Sequence, residues 1–177
     1  MTRTITVERY DPVWQEEFEK IKGMLYLELW GFITDIVHIG STSVPGLSAK
    51  PIIDLIVIID SYSDLPDLCE RLKELGYEHG SGGTVGGWET FESGENGGLM
   101  THCVYICPKN SEDLLRQTAF WDYLRAHPDK ARCYGILKSY LALKFPYDAD
   151  SYVAGKREAQ DRIVKKWMFM LKDNDYQ

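Results

Sequence analysis

Apolar and polar residues in the first sixty positions follow a helical pattern and then a strand pattern. Apolar side chains recur at helical spacings across residues 13–30, and Asp11-Pro12 just before them is typical of a helix start. Two short apolar runs, residues 33–39 and 52–59, predict strands. The second run is almost continuously apolar, which favours a central place in a sheet.

The middle of the chain predicts a further helix and two further strands. Ser63-Asp64 begins a helix that Gly76 ends. Residues 85–91 and 101–107 predict strands. Eight glycines lie from Gly80 to Gly98, both included, so we expect the flanks of the first of these strands to move as a lid.

The last third predicts only helices. Helix-start residues and apolar spacing place them at about residues 111–126, 128–145 and 148–171. The pattern as a whole predicts an α+β fold, with a sheet in the first two thirds and a helical C-terminal third. Neither a repeat nor a linker interrupts it, so we expect one domain over residues 1–177.

Composition and charge narrow the class of protein. Apolar residues make up 44% and charged residues 27% of the 177, as in ordinary globular proteins. A net charge of −7 argues against general nucleic-acid binding. Residues 52–59, the longest apolar run, are too few to span a membrane, and the first residues carry no apolar signal core. We therefore expect a cytoplasmic protein with no membrane association.

Two features of the composition allow more than one interpretation. The four cysteines form no CxxC pair, so we expect buried thiols rather than disulfides or zinc ligands. Residues 156–172 carry six basic side chains but only two acidic ones. This segment is either a solvated helix face or a face turned towards an anionic ligand.

The segment between the first two strands is the strongest candidate for binding chemistry. Gly40 lets the backbone approach a ligand, and the hydroxyls of Ser41 and Thr42 add donors for an anion. Lys50 places a cation nearby. Asp54 interrupts an apolar strand and needs a salt bridge, several donors or a metal. The segment predicts a phosphate-binding loop.

Two common nucleotide-binding motifs are excluded. Gly46 is followed by Leu47-Ser48 rather than by Lys-Ser or Lys-Thr, so the loop is not a Walker A motif. No strand–GxGxxG–helix unit is present, which excludes a dinucleotide-binding fold.

Residues 38–54, His-Ile-Gly-Ser-Thr-Ser-Val-Pro-Gly-Leu-Ser-Ala-Lys-Pro-Ile-Ile-Asp, resemble the signature of the GrpB family of polymerase-beta-like nucleotidyltransferases. The resemblance extends over nearly the whole chain. It also includes Tyr10-Asp-Pro-x-Trp14, Gly76-Tyr77, Phe120-x-Asp-Tyr-Leu-Arg125, Tyr134-x-x-x-Lys138 and Tyr152-x-x-x-Lys156. It implies a mixed sheet flanked by helices, and a Gly-Ser loop that holds nucleotide phosphates in active relatives.

Departures from that superfamily weaken the case for catalysis. Active members of the superfamily that this chain resembles have Gly-Ser followed by an Asp-x-Asp pair, whose two carboxylates hold two Mg²⁺ ions about 3.5–4 Å apart. Here Asp54 fills the first position but Ile56 the second, and residues 102–106 supply no third carboxylate. The family tends to have arginine where this chain has Trp121. Glu89 or Glu92 would have to replace the missing carboxylate.

The residues that remain suggest a role for each. Asp54 would contact a single Mg²⁺ held mainly by water and substrate phosphates. His102 would line the opposite wall as a base or anion partner, although a lone strand histidine also suits a core or rim position. Lys138 and Lys156 each lie one turn beyond a tyrosine and would add phosphate contacts, unless both reach solvent instead.

These residues support a nucleotide or another phosphorylated small molecule as the ligand, with Mg²⁺-dependent transfer as one outcome. The alternative is a binding or regulatory module that kept the loop and lost the metal pair. A third class is an interaction protein that uses apolar residues near the C-terminus, such as Trp167 and Phe169. The oligomeric state stays open.

Overall fold

The computed structural model describes residues 5–80, 88–94 and 98–174. A mixed five-stranded sheet lies between helices, so the predicted α+β fold with a helical C-terminal third is confirmed. In chain order the elements are α1 (Val13–Glu28), β1 (Asp35–Ile39), β2 (Ile53–Ile59), α2 (Leu65–Glu74), β3 (Tyr77–His79), β4 (Glu89–Ser93), β5 (His102–Pro108), α3 (Glu112–Ala126), α4 (Pro128–Lys144) and α5 (Ala149–Asn174). Short 3₁₀ turns at Ser41–Ser43 and Tyr62–Asp64 complete it.

The sheet order is β1-β2-β5-β4-β3. Strands β2 and β5 pair in parallel, and the other neighbours are antiparallel. Strand β2 has a neighbour on each side and is covered on both faces, as its continuous apolar sequence predicts.

Side chains alternate along β2 between two separate cores. Leu55 and Val57 face α1 and α2, where they pack with Phe18 and Leu68. Ile56 faces the other side and belongs to the core formed with α3 and α4. Asp54 lies on the same face of β2 as Ile56, so the three C-terminal helices cover the side of the sheet that carries Asp54.

Some predicted elements differ from those observed. Strand β3 was not predicted, since three residues are too few for a pattern. Strand β4 extends to Ser93, beyond the predicted end at residue 91, because it pairs with both β3 and β5. Residues 81–87 and 95–97, which include most of the predicted lid, lie outside the described residues.

The structure also bears on two expectations drawn from the composition, one about the cysteines and one about membrane spans. The four cysteines, all within the described ranges, form no disulfide with one another, but Cys133 is exposed on α4, so the expectation of buried thiols is wrong for this residue. In the described part of the chain, no helix has the length and apolar character needed to cross a membrane.

Candidate functional site

The Gly-Ser loop turns tightly over the side chain of Asp54. Gly40 has φ of +75°, which residues with a side chain rarely adopt. A Cβ atom there would lie 2.7 Å from the Asp54 Cβ and 2.9 Å from its Cγ. Both the backbone conformation and the space therefore require glycine.

Asp54 lies half-buried at the floor of a cleft between the sheet and α5. Burial raises the pKa of its carboxyl to about 6, and nearby Lys156, the Tyr105 hydroxyl, Lys50 and Lys138 oppose that shift. The Tyr105 hydroxyl donates to Asp54 Oδ1 at 3.3 Å. The negative charge of Asp54, together with burial, raises the pKa of Tyr105, which therefore remains a protonated donor.

Lysines surround this carboxylate on one side, in a cavity of about 230 Å³ that we call the lysine lobe. Its walls include Ser41, Lys50, Asp54, Lys138 and Lys156. Lys138 and Lys156 do not both reach solvent, so this alternative from the sequence is wrong. Lys138 is 2% exposed and Lys156 is half-buried, because the tyrosine one turn before each of them is buried on the same helix face.

Lys138 has the most unusual environment of these lysines. Its Nζ has no hydrogen-bond partner among the described residues and lies 5.2 Å from the centre of the Tyr134 ring. Burial lowers the pKa of Lys138 to about 7, and the charge of Lys156 adds to this effect while that of Asp54 opposes it. Burial also lowers the pKa of Lys156. The lobe therefore holds ammonium groups at an energetic cost.

A second cavity of about 270 Å³ continues from the lysine lobe, and we call it the ring lobe. The two lobes share Ser41, Asp54, Tyr105 and Lys156. Aromatic and amide side chains line the rest of the ring lobe, including Trp88, Trp121, Tyr134, Gln117 and Gln160. Lys156 and Arg157 line this lobe too, so aromatic rings distinguish it from the lysine lobe while basic side chains occur in both.

The loop hydroxyls divide between the cleft and the fold. Ser41 lines both lobes. Thr42 is 1% exposed, and its Oγ1 donates to the Ile52 carbonyl at 3.2 Å and lies 3.1 Å from His38 Nε2. The predicted phosphate contact of the Thr42 hydroxyl is therefore not supported, since the hydroxyl is buried and bound within the protein.

His102 does not line the cleft, so its predicted position on the opposite wall is wrong. It pairs with Ile53 in the sheet and points to the face opposite Asp54. Its side chain is fully buried, with Nδ1 2.7 Å from the Met100 carbonyl and Nε2 2.6 Å from the Tyr77 hydroxyl. Burial lowers its pKa. His102 therefore occupies the core position that the sequence analysis left open.

The carboxylates proposed to replace Ile56 are also separated from Asp54. Glu89 lies on the other face of the sheet and contacts His79 Nε2 at 2.6 Å. Glu92 shares the face of Asp54, but the two are aligned across β5. With neighbouring strands about 4.8 Å apart, their backbones are roughly 10 Å from each other. No group of three or more His, Cys, Asp or Glu in the described ranges suits a metal ion, so the residues do not fit a two-Mg²⁺ site.

Arg125 on α3 holds the loop in place, a role that the sequence analysis missed. Its Nη2 donates to the His38 carbonyl and to Ser43 Oγ, both at 2.8 Å, and its Nε donates to the Ser43 carbonyl at 3.2 Å. Ser43 Oγ in turn donates to the Gly40 carbonyl at 2.8 Å. The Phe120–Arg125 motif carried the signal, but only as part of a resemblance.

The basic segment at 156–172 faces two environments. Lys156 and Arg157 line the ring lobe, whereas Arg162 is exposed and pairs with Glu158. Arg162 therefore fits the solvated-face interpretation, whereas an anionic ligand near Lys156 and Arg157 stays a prediction. The side chains of Lys166 and Lys172 lie outside the described part.

Known proteins are similar to this chain both in sequence and in fold. A family model described as GrpB protein matches residues 4–166. The YqkA protein of Bacillus subtilis is 34% identical over 93% of this chain, which spans about half of that relative, 48% of its length. Glutamate-rich protein GrpB of Alkalihalophilus pseudofirmus is 34% identical, over 86% of this chain and 90% of that protein.

Solved structures agree with the family match. The crystal structure of conserved protein GrpB from Enterococcus faecalis is similar with a TM-score of 0.77 and 35% identity, over 92% of this chain and 99% of that one. A cytoplasmic RNA terminal U-transferase has a TM-score of 0.52 and 18% identity, over 74% of this chain and 42% of that one, and this likeness concerns the fold alone. The chain therefore belongs to the GrpB family and has a nucleotidyltransferase-like fold.

Proposed function

We propose that this protein binds a nucleotide or another phosphorylated small molecule in the cleft between β2, β5 and α5. The phosphate would lie in the lysine lobe, against Ser41 and the ammonium groups of Lys50, Lys138 and Lys156. The backbone at Gly40 would let the anion approach the loop closely. A nucleotidyltransferase-like fold favours a nucleotide among such ligands.

One observation carries this proposal: Lys138 is buried and its Nζ lacks a hydrogen-bond partner among the described residues. Buried charges in proteins are normally paired and hydrogen-bonded, because desolvation makes an unpaired one costly. Among the described residues that line the lysine lobe, Asp54 supplies a carboxylate, but its single negative charge also interacts with Lys50 and Lys156. A phosphate group supplies the missing negative charge and several strong acceptors at once.

Magnesium at Asp54 stays a prediction, and two-ion nucleotidyl transfer is the less favoured alternative. Among the described residues the lobe offers Asp54 as a carboxylate ligand, while lysines occupy much of its surroundings. Ammonium groups near the ligand can neutralise phosphate charge without a metal. We therefore favour a binding module over a two-metal enzyme.

Isothermal titration calorimetry with pyrophosphate, ATP, CTP and coenzyme A tests the proposal. Each titration is performed with Mg²⁺ and again with a chelator. We expect at least one compound to bind, with an affinity that changes little when Mg²⁺ is removed. An affinity that appears only with Mg²⁺ supports the metal-dependent alternative, and no binding by any compound contradicts both.

A further inference from the structure

The ring lobe has walls that differ in chemistry from those of the lysine lobe. Trp88 and Tyr105 form an edge-to-face pair with ring centres 6.0 Å apart. Trp121 and Tyr134 each pack edge-to-face on Phe120, which fixes both rings in the core around α3 and α4. Rigid aromatic walls favour a flat, apolar-faced group over a hydrated one.

Trp121 adds a specific requirement to this lobe. The residue is 5% exposed, and its Nε1 has no hydrogen-bond partner among the described residues. The indole N–H can only donate, so a ligand that satisfies it must present an acceptor atom. Among the described residues, Trp121 Nε1 and Lys138 Nζ are thus both buried donors without an acceptor.

Amide side chains at the lobe favour a ring with polar edges over a hydrocarbon chain. Gln117 is exposed and Gln160 half-buried, and both line the same cavity as Trp121. A primary amide both donates and accepts, so it can pair with ring nitrogens and carbonyl oxygens alike. A purely apolar ligand would offer no partner to the half-buried Gln160 amide or to the indole N–H.

We propose that the ring lobe binds a planar heteroaromatic ring that accepts a hydrogen bond from Trp121 Nε1. This inference rests on the proposed phosphate site, because the two lobes meet at Ser41, Asp54, Tyr105 and Lys156. The ligand class is then a phosphorylated compound whose ring is one short linker from its phosphate, as in a nucleoside monophosphate. Trp121 is the residue that selects such compounds over ring-free phosphates.

Matched ligands separate this inference from the function on which it rests. UMP, AMP and ribose 5-phosphate carry the same phosphate and sugar, but the last has no ring base. We expect UMP or AMP to bind the wild-type protein at least tenfold more tightly than ribose 5-phosphate in calorimetric titrations. Equal affinities for all three would overturn the ring site while leaving the phosphate site intact. If pyrophosphate, ribose 5-phosphate and both nucleotides all fail to bind, the phosphate site itself is overturned.

A variant then tests the assigned residue. Trp121→Phe keeps an aromatic wall but removes the donor, so the affinity for the preferred nucleotide should fall about fivefold or more, with ribose 5-phosphate unchanged. Trp30→Phe is the matched control, since Trp30 is 77% exposed and lies outside the cleft. Unchanged nucleotide affinity in Trp121→Phe contradicts the assigned hydrogen bond. The wild-type ligand comparison still decides the ring site should Trp121→Phe not fold.

Discussion

At the residue scale, burial shifts the pKa values of two oppositely charged side chains in one cavity towards neutral pH. The pKa of Asp54 is raised to about 6 and that of Lys138 is lowered to about 7. Both groups therefore change charge near neutral pH. An arriving anion favours the protonated form of each, so binding and protonation should be coupled.

The first prediction concerns the pH dependence of anion binding. Sulfate keeps a constant charge between pH 6 and 8, so it reports only the titration of the protein. Loss of the Lys138 proton above its pKa of about 7 should weaken sulfate binding about tenfold between pH 6 and 8, and ionisation of Asp54 above about 6 acts in the same direction.

Calorimetry across this pH range checks the sign of the effect. A Lys138→Met variant serves as the reference and should show a flatter profile. Binding that strengthens with rising pH would contradict the assigned pKa shifts.

The second prediction separates anion binding by lysines from metal binding by Asp54. Asp54→Asn removes from the lysine lobe a negative charge that repels an anionic ligand, but it keeps an oxygen that accepts from the Tyr105 hydroxyl. Without Mg²⁺, the variant should bind pyrophosphate several-fold more tightly than the wild type, as measured by calorimetry. A Mg²⁺-dependent affinity that Asp54→Asn abolishes would show instead that Asp54 holds a metal ion.

The third prediction concerns stability. The unfolded chain binds the Lys138 proton with the usual pKa of 10.5, so between about pH 7 and 10.5 it holds more protons than the folded state. The cost of burying this lysine is therefore complete below pH 7 and falls as pH rises. Lys138→Met should raise the free energy of unfolding by a few kcal/mol at pH 7, and by less near pH 9.5. Urea unfolding at the two pH values measures both differences, and a gain that grows with pH would contradict the assignment.

At the element scale, the Gly-Ser loop depends on the elements on both sides of it. Strand β2 places Asp54 under Gly40, and α3 places Arg125 against the carbonyls of His38 and Ser43. Burial, together with the positive charge of Arg125, lowers the pKa of His38 to about 4, so this histidine is neutral in the folded protein. The loop shape is therefore fixed before a ligand arrives.

Gly40→Ala tests that dependence, with Gly31→Ala as its matched control. Both glycines have positive φ, but a Cβ at Gly31 would meet no atom within 4 Å, whereas one at Gly40 would meet the Asp54 side chain. Positive-φ strain alone costs roughly 1–3 kcal/mol. Chemical unfolding should show a larger loss for Gly40→Ala than for Gly31→Ala, and only Gly40→Ala should weaken pyrophosphate binding. Equal losses would mean that the contact with Asp54 is unimportant.

The elements also show what the sequence could and could not predict. The apolar run of β2 and the glycine–hydroxyl loop were readable locally, because spacing and residue type determine them. The sheet face on which His102 lies could not be predicted locally. It depends on the register between β2 and β5, which are more than forty residues apart in the chain. Lys138 was ambiguous for a similar reason: the sequence places it on the face of Tyr134 but does not show that this face is buried.

At the scale of the whole molecule, the acidic chain encloses a cationic cleft. The net charge is −7, yet Lys50, Lys138 and Lys156 converge on one lobe. Such a distribution suits a small anion held in a cavity better than an extended polyanion bound along the surface.

Matched lysine variants show whether Lys138 Nζ contacts the phosphate that we propose binds in the cleft. Calorimetric titration of pyrophosphate is performed on the wild type, on Lys138→Met and on Lys144→Met, which changes an exposed lysine of the same helix. Loss of a buried charged contact should lower the affinity at least tenfold in Lys138→Met, while Lys144→Met should bind as the wild type does. Wild-type affinity in a folded Lys138→Met variant would mean that Lys138 does not bind the phosphate.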